Sequence, residues 1–145
     1  MKLINRNSIR IYEGASDWKE AIRLSTMSLE EQGFVEPRYK EEIIANVERL
    51  GPYIVIMPQV ALPHARPEQG VISSQVSFTL FRSDVSFSKE HEDVRLFITL
   101  AAQDNDGHIE ALVAVTELLQ NEEKLVEIMN AKNEDELYKL IQEGE

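Results

Sequence analysis

The chain of 145 residues carries 15 Lys+Arg against 26 Asp+Glu, a formal net charge of −11, and its length is that of one ordinary domain, 1–145, able to bury a core without disulfide staples. Hydrophobic residues make up 43% and charged residues 28%, which excludes wholesale disorder; the absence of cysteine excludes a disulfide scaffold, a thiolate metal site and a cysteine nucleophile, and fits a reducing compartment. The longest apolar runs, residues 53–57 and 96–102, fall far short of the ~20 residues that span a bilayer, and the opening Met1-Lys2-Leu3-Ile4-Asn5-Arg6 lacks the apolar core of a signal peptide, so a cytoplasmic protein is expected.

Residues 16–32 carry a helical pattern. Ser16 is the expected N-cap, Trp18, Ala21, Ile22 and Leu29 share one face, and Gly33 suits the stop. A second helix fits residues 37–50, with Pro37 in its first turn, an inward stripe of Tyr39, Ile43, Val47 and Leu50, and Gly51-Pro52 as terminator. Residues 54–57 read as a short buried strand. Residues 76–81 alternate apolar and small polar side chains, the pattern of a half-buried strand. Residues 94–102 are almost wholly apolar, as a central strand covered on both faces should be. Residues 107–120 read as a helix with Ile109, Leu112, Val113, Thr116 and Leu119 inward, and further helices fit 122–129 and 135–143. Phe78, Leu80, Leu96, Ile98 and Leu100 are expected in the core. Helices before, between and after strands predict an α/β layered domain.

Charge is unevenly placed along this pattern. Residues 1–72 hold 9 basic and 10 acidic residues, whereas residues 73–145 hold 6 and 16. An acidic surface repels phosphate backbones, which argues against nucleic acid and suits solubility or the steering of a basic protein partner.

The sequence contains no P-loop, dinucleotide glycine fingerprint, HExxH or GxSxG pattern. Its three histidines are His64, His91 and His108. His91 lies in the charged Ser88-Lys89-Glu90-His91-Glu92-Asp93 loop and reads as a bystander. The wide spacing of the three offers no zinc signature. His64 differs, because Pro63 and Pro67 bracket it after an apolar strand and so restrict its backbone. Rigidly held loops commonly carry function. Arg66, two residues on, offers a planar cation suited to phosphate oxygens; the alternative is a surface pair with Glu68. Asp104 and Asp106 read as helix-capping residues rather than catalytic acids.

The segment Gly51-Pro52-Tyr53-Ile54-Val55-Ile56, followed by Ala61-Leu62-Pro63-His64-Ala65-Arg66-Pro67-Glu68, resembles the phosphorylation-site segment of enzyme IIA domains of the mannitol/fructose class. These belong to the phosphoenolpyruvate-dependent sugar phosphotransferase system, and the wording looks most like the ascorbate-specific branch. The resemblance continues through Leu96-Phe97-Ile98-Thr99-Leu100-Ala101-Ala102, His108, Leu112 and Leu118-Leu119, covering nearly the whole chain.

What the resemblance implies is a phosphoryl relay on a mixed sheet flanked by helices. His64 would take the phosphoryl group from the phosphohistidine of the carrier HPr. It would pass that group to an enzyme IIB partner, and so feed a membrane IIC transporter indirectly. His108 matches the family's second active-site histidine and suits a neutral N–H donor to a phosphate oxygen. Donor and acceptor are both protein side chains, so no metal or cofactor is required. The family's usual helix arginine falls at Asn46 here; Arg49 lies one turn on, offset from the inward stripe, and Arg66 is the expected substitute. Two other readings are a regulatory module that signals by phosphorylation state, and an unrelated small-molecule or metal-binding protein. The sugar and the oligomeric state, including a homodimer, stay open at this stage.

Overall fold

The computed structural model describes residues 5–143; residues 1–4, the start of the stretch read for a leader, lie outside it. Among the described residues five strands form one mixed sheet: β1 (Ile9–Tyr12), β2 (Val55–Met57), β3 (Val60–Ala61), β4 (Gln75–Val85) and β5 (Val94–Ala101). Their order is β1-β4-β5-β3-β2. β1 runs parallel to β4 and β3 parallel to β5, while β4/β5 and β2/β3 are antiparallel. Helices α1 (Trp18–Glu31) and α2 (Arg38–Leu50) cover one face. Helices α3 (Asn105–Leu119), α4 (Glu122–Met129) and α5 (Glu134–Glu143) cover the other. This is the expected α/β architecture, with β5 central and buried on both sides. No helix of the described residues is long and apolar enough to cross a membrane.

The pleat explains the two cores. Phe78 and Leu80 of β4, with Leu96, Ile98 and Leu100 of β5, point to the α3–α5 side and are at most 1% exposed. Phe81, Phe97 and Ala101 point to the α1–α2 side. β4 is not half-buried as its alternation suggested. Ser77 and Thr79 are fully buried beneath α1. The Ser77 hydroxyl donates to the Ser25 carbonyl at 2.9 Å, and that of Thr99 to the Ser25 hydroxyl at 3.3 Å. Small polar side chains here mark close helix–sheet packing; Ser77 and Thr99 make their hydrogen bonds inside the core, whereas the buried Thr79 hydroxyl has no partner among the described residues.

Helix limits follow local chemistry. Asp17, not Ser16, caps α1: its side chain accepts from the Glu20 N–H at 2.8 Å, while the Ser16 N–H donates to the Glu20 carboxylate, a reciprocal cap shifted by one residue. Gly51 ends α2 at φ +86, a region that favours glycine. Leu50, expected on the inward stripe of α2, is 58% exposed: it is the last residue of the helix and lies at the rim of the cavity described below. β2 is an edge strand whose Ile56 is exposed rather than buried. The inner face of α3 is Ala111, Val115, Leu118 and Leu119, whereas Ile109, Val113 and Thr116 face solvent. This helix is apolar on several sides, so period alone does not choose the face that packs.

Candidate functional site

His64 lies just after the β2–β3 hairpin, in a loop with little freedom. The Leu62 N–H donates to the Ile54 carbonyl at 2.7 Å, and the Leu100 N–H to the Pro63 carbonyl at 2.9 Å, which ties the segment to the C-terminal end of β5. A 3-10 turn, Pro67–Gln69, follows, and Gly70 then passes over α2 at φ +130. A Cβ at Gly70 would sit 3.3 Å from that of Tyr39, so only glycine fits both the dihedral and the close approach.

The imidazole is fixed by its own chain. His64 Nδ1 lies 2.6 Å from the Leu62 carbonyl oxygen. A carbonyl only accepts, so Nδ1 carries the proton and Nε2 keeps a lone pair. Burial holds the His64 pKa below its ordinary value; the Leu62 hydrogen bond opposes that shift and neighbouring His108 reinforces it. The ring is therefore neutral near pH 7, as a nitrogen nucleophile must be.

His108 comes from the first turn of α3, and its ring centroid lies 5.6 Å from that of His64. Asp104 caps this helix, its carboxylate accepting from the Gly107 N–H at 2.7 Å, which is the capping role expected from sequence; Asp106 occupies the first turn. The His108 N–H is used by the Asp104 carbonyl, so only its ring can donate into the site. The amides of Asn105 and Asp106 have no intrahelical acceptor and add the positive pole of a helix start.

These residues border an open cavity of about 260 Å³ whose wall includes Asn46, Arg49, Tyr53, His64, Arg66 and His108. Arg66 reaches it as expected, with its side chain exposed. Among the described residues it forms no ion pair, with Glu68 or any other acid; Glu68 instead offers its backbone carbonyl to Arg38. The placement of Arg49 differs from expectation. Its long side chain carries the guanidinium from the edge of α2 to the cavity, where it donates to Asn46 Oδ1 at 3.3 Å. Asn46, at the position of the missing arginine, also donates to Gln69 Oε1 at 3.1 Å. That same oxygen accepts from the Arg66 N–H at 2.9 Å. Two side-chain amides, those of Asn46 and Gln69, thus link the Arg49 guanidinium to the backbone of Arg66.

Tyr53 was not singled out from sequence. Its hydroxyl donates to the His64 carbonyl at 2.8 Å, and its ring stands edge-on to the imidazole. Burial pushes its phenol pKa up, opposed by Asn46 and Arg49, so it remains a donor. His91 sits in the turn before β5, bonded through its backbone to Ser88 and Phe87, at the opposite end of that strand from the cavity. Among the described residues no three or more His, Cys, Asp or Glu side chains gather as a metal-holding group.

A nucleophilic nitrogen, a second imidazole, two guanidinium groups and a helix N-terminus around one cavity form a receptor for a tetrahedral dianion. They can stabilise charge on transferring phosphoryl oxygens. Comparisons with known proteins agree with this chemistry. Residues 2–144 match the family described as phosphoenolpyruvate-dependent sugar phosphotransferase system, EIIA 2. The chain is 38% identical over 138 residues to the mannitol-specific cryptic phosphotransferase enzyme IIA component of Escherichia coli (strain K12), covering 95% of this chain and 94% of that protein. It is 35% identical over 141 residues to the ascorbate-specific PTS system EIIA component of the same strain, covering 96% and 92%. It superposes on the IIA mannitol component in the Escherichia coli complex of that enzyme with phosphorylated IIB, with a TM-score of 0.78 at 30% identity, covering 97% and 96% of the two chains.

Proposed function

The chain belongs to the phosphoenolpyruvate-dependent sugar phosphotransferase system EIIA 2 family, phosphotransferases that pass a phosphoryl group by way of a histidine, and we propose that residues 1–145 act as one such domain with His64 as the carrier. The observation that carries this assignment is the hydrogen bond from His64 Nδ1 to Leu62, which leaves Nε2 as the free nucleophile. In the reaction, the Nε2 lone pair attacks phosphorus on the phosphohistidine of HPr. The donor N–P bond breaks as the new one forms, and the pair returns to the donor ring. The Nδ1 proton stays on the Leu62 hydrogen bond throughout.

His108 donates to an equatorial oxygen of the moving group, and Arg49 from α2 and Arg66 from the loop balance its charge. Transfer onward to enzyme IIB reverses these contacts, and through IIB the group reaches a membrane IIC component. Leu50 and Tyr53 at the cavity and Ile109 beside His108 are exposed apolar side chains, a surface that a docking partner must cover to reach His64. The reading places the protein in the cytoplasm.

Ascorbate is the sugar acid we assign, on the wording of residues 51–68. The mannitol-type and ascorbate-type relatives differ by only three points of identity, 38% and 35%, so the assignment is tested at the acceptor. The protein is charged with enzyme I, HPr and phosphoenolpyruvate, then mixed with ascorbate-type or mannitol-type IIB. Faster discharge to the ascorbate-type IIB is expected. Preference for the mannitol type would reassign the sugar, and discharge to neither would point to a regulatory role.

A further inference from the structure

The peptide that joins His64 to Ala65 has both of its polar groups bonded to phenols. The Tyr53 hydroxyl donates to the His64 carbonyl at 2.8 Å, and the Ala65 N–H donates to the Tyr39 hydroxyl oxygen at 3.1 Å. The Tyr39 hydroxyl in turn donates to the Leu100 carbonyl at 2.6 Å, so a fully buried side chain of α2 joins the loop to β5. The Tyr53 ring stands at 86° to the imidazole with centroids 5.3 Å apart, an edge-to-face arrangement that limits tilting of the ring.

We propose that Tyr39 and Tyr53 form a two-phenol clamp on the 64–65 peptide, and that Tyr53 is a positioning residue for phosphoryl transfer. This rests on the reading of His64 as the carrier. Three restraints then define the nucleophile: Leu62 sets the ring rotation, the clamped peptide sets the backbone, and the Tyr53 ring edge limits tilt. In-line transfer demands such definition, because small displacements of the attacking atom are costly in rate. The two phenols differ in role. Tyr39 is buried and permanent. Tyr53 is 37% exposed on the wall of the cavity, so a partner covering the cavity removes competing water from its hydrogen bond and strengthens it. The clamp therefore tightens when donor or acceptor is docked, and its effect belongs in the transfer step rather than in binding.

Tyr53→Phe keeps the ring and removes only the hydroxyl, at a half-exposed site where the fold is not at stake. The test is rapid-quench transfer from phospho-HPr at several donor concentrations, with the phosphorylated residue mapped in wild type. The expected result is phosphate on His64, a first-order transfer rate about three- to tenfold lower in Tyr53→Phe, as loss of one hydrogen bond implies, and a KM within twofold. A variant rate within twofold of wild type overturns the clamp while leaving His64 as carrier. A raised KM with an unchanged rate also overturns it, making Tyr53 a docking residue. Wild type carrying no phosphate on His64 overturns the carrier reading, and the clamp with it.

Discussion

His64 Nδ1 lies 2.6 Å from the carbonyl oxygen of Leu62, two residues earlier in the chain. Pro63 between them has its φ fixed by its ring, and its own carbonyl is held by the Leu100 N–H. The tautomer is thus set by three consecutive residues, with no carboxylate needed to orient the ring. A neutral carbonyl partner fixes the ring without the strong pull toward the imidazolium that an adjacent acid exerts. That suits a nitrogen that must gain and release a phosphoryl group.

Titration of the His64 ring tests this electrostatic account. Burial and His108 lower its pKa, so its midpoint should fall below the ~6.5 of an unperturbed histidine. Between the lowered folded value and ~6.5 the unfolded chain binds more protons, so this residue makes stability rise with pH across that window and fall as pH drops. NMR titration of the ring gives the midpoint; a value at or above 6.5 would contradict the burial argument.

We propose His108 as a donor in transfer, and on that proposal His108→Ala should still be phosphorylated on His64 but exchange the group about 10²–10³ more slowly, the usual effect of losing a transition-state donor. His108→Gln, which keeps an N–H with different reach, should fall between. Rapid-quench transfer to IIB measures this; wild-type rates in the alanine variant would reduce His108 to a structural residue of the first turn.

The sequence made most of the frame legible, because α1 and α2 combine strong periodicity with clear stops and β5 is an almost unbroken apolar run. The carrier loop was legible because Pro63 and Pro67 restrict backbone around a single histidine. β1 was missed: four residues alternating Ile9, Arg10, Ile11 and Tyr12 become a strand only through parallel pairing with β4. β3 is two residues long, behind a turn with Gln59 at φ +72, and no local pattern marks it. Arg49 was set aside from its angular position on α2, but the length of an arginine side chain lets it reach past the stripe. Tyr53 gave no signal, since its partner is a backbone carbonyl eleven residues away.

In the proposed relay Arg49 and Arg66 share the task of balancing the phosphoryl charge from the wall of the cavity. Each alanine substitution should slow phosphoryl transfer about tenfold or more, as loss of a charge-assisted donor implies. Each lysine substitution should be a partial defect, keeping charge but losing the fork. Quenched-flow rates decide between them: Arg66→Ala within twofold of wild type, with Arg49→Ala impaired, would assign the role to the helix arginine alone.

The central claim is that His64 carries the phosphoryl group, and mapping the phosphate by mass spectrometry tests it most directly. Wild type and His64→Ala are each incubated with enzyme I, HPr and phosphoenolpyruvate. His64 is a half-buried loop side chain outside both hydrophobic clusters, so the variant should keep the fold, as circular dichroism would show. The account predicts one acid-labile phosphate on His64 in wild type and none in the variant. Full incorporation in His64→Ala would contradict it and move the site elsewhere, with His108 the first residue to examine.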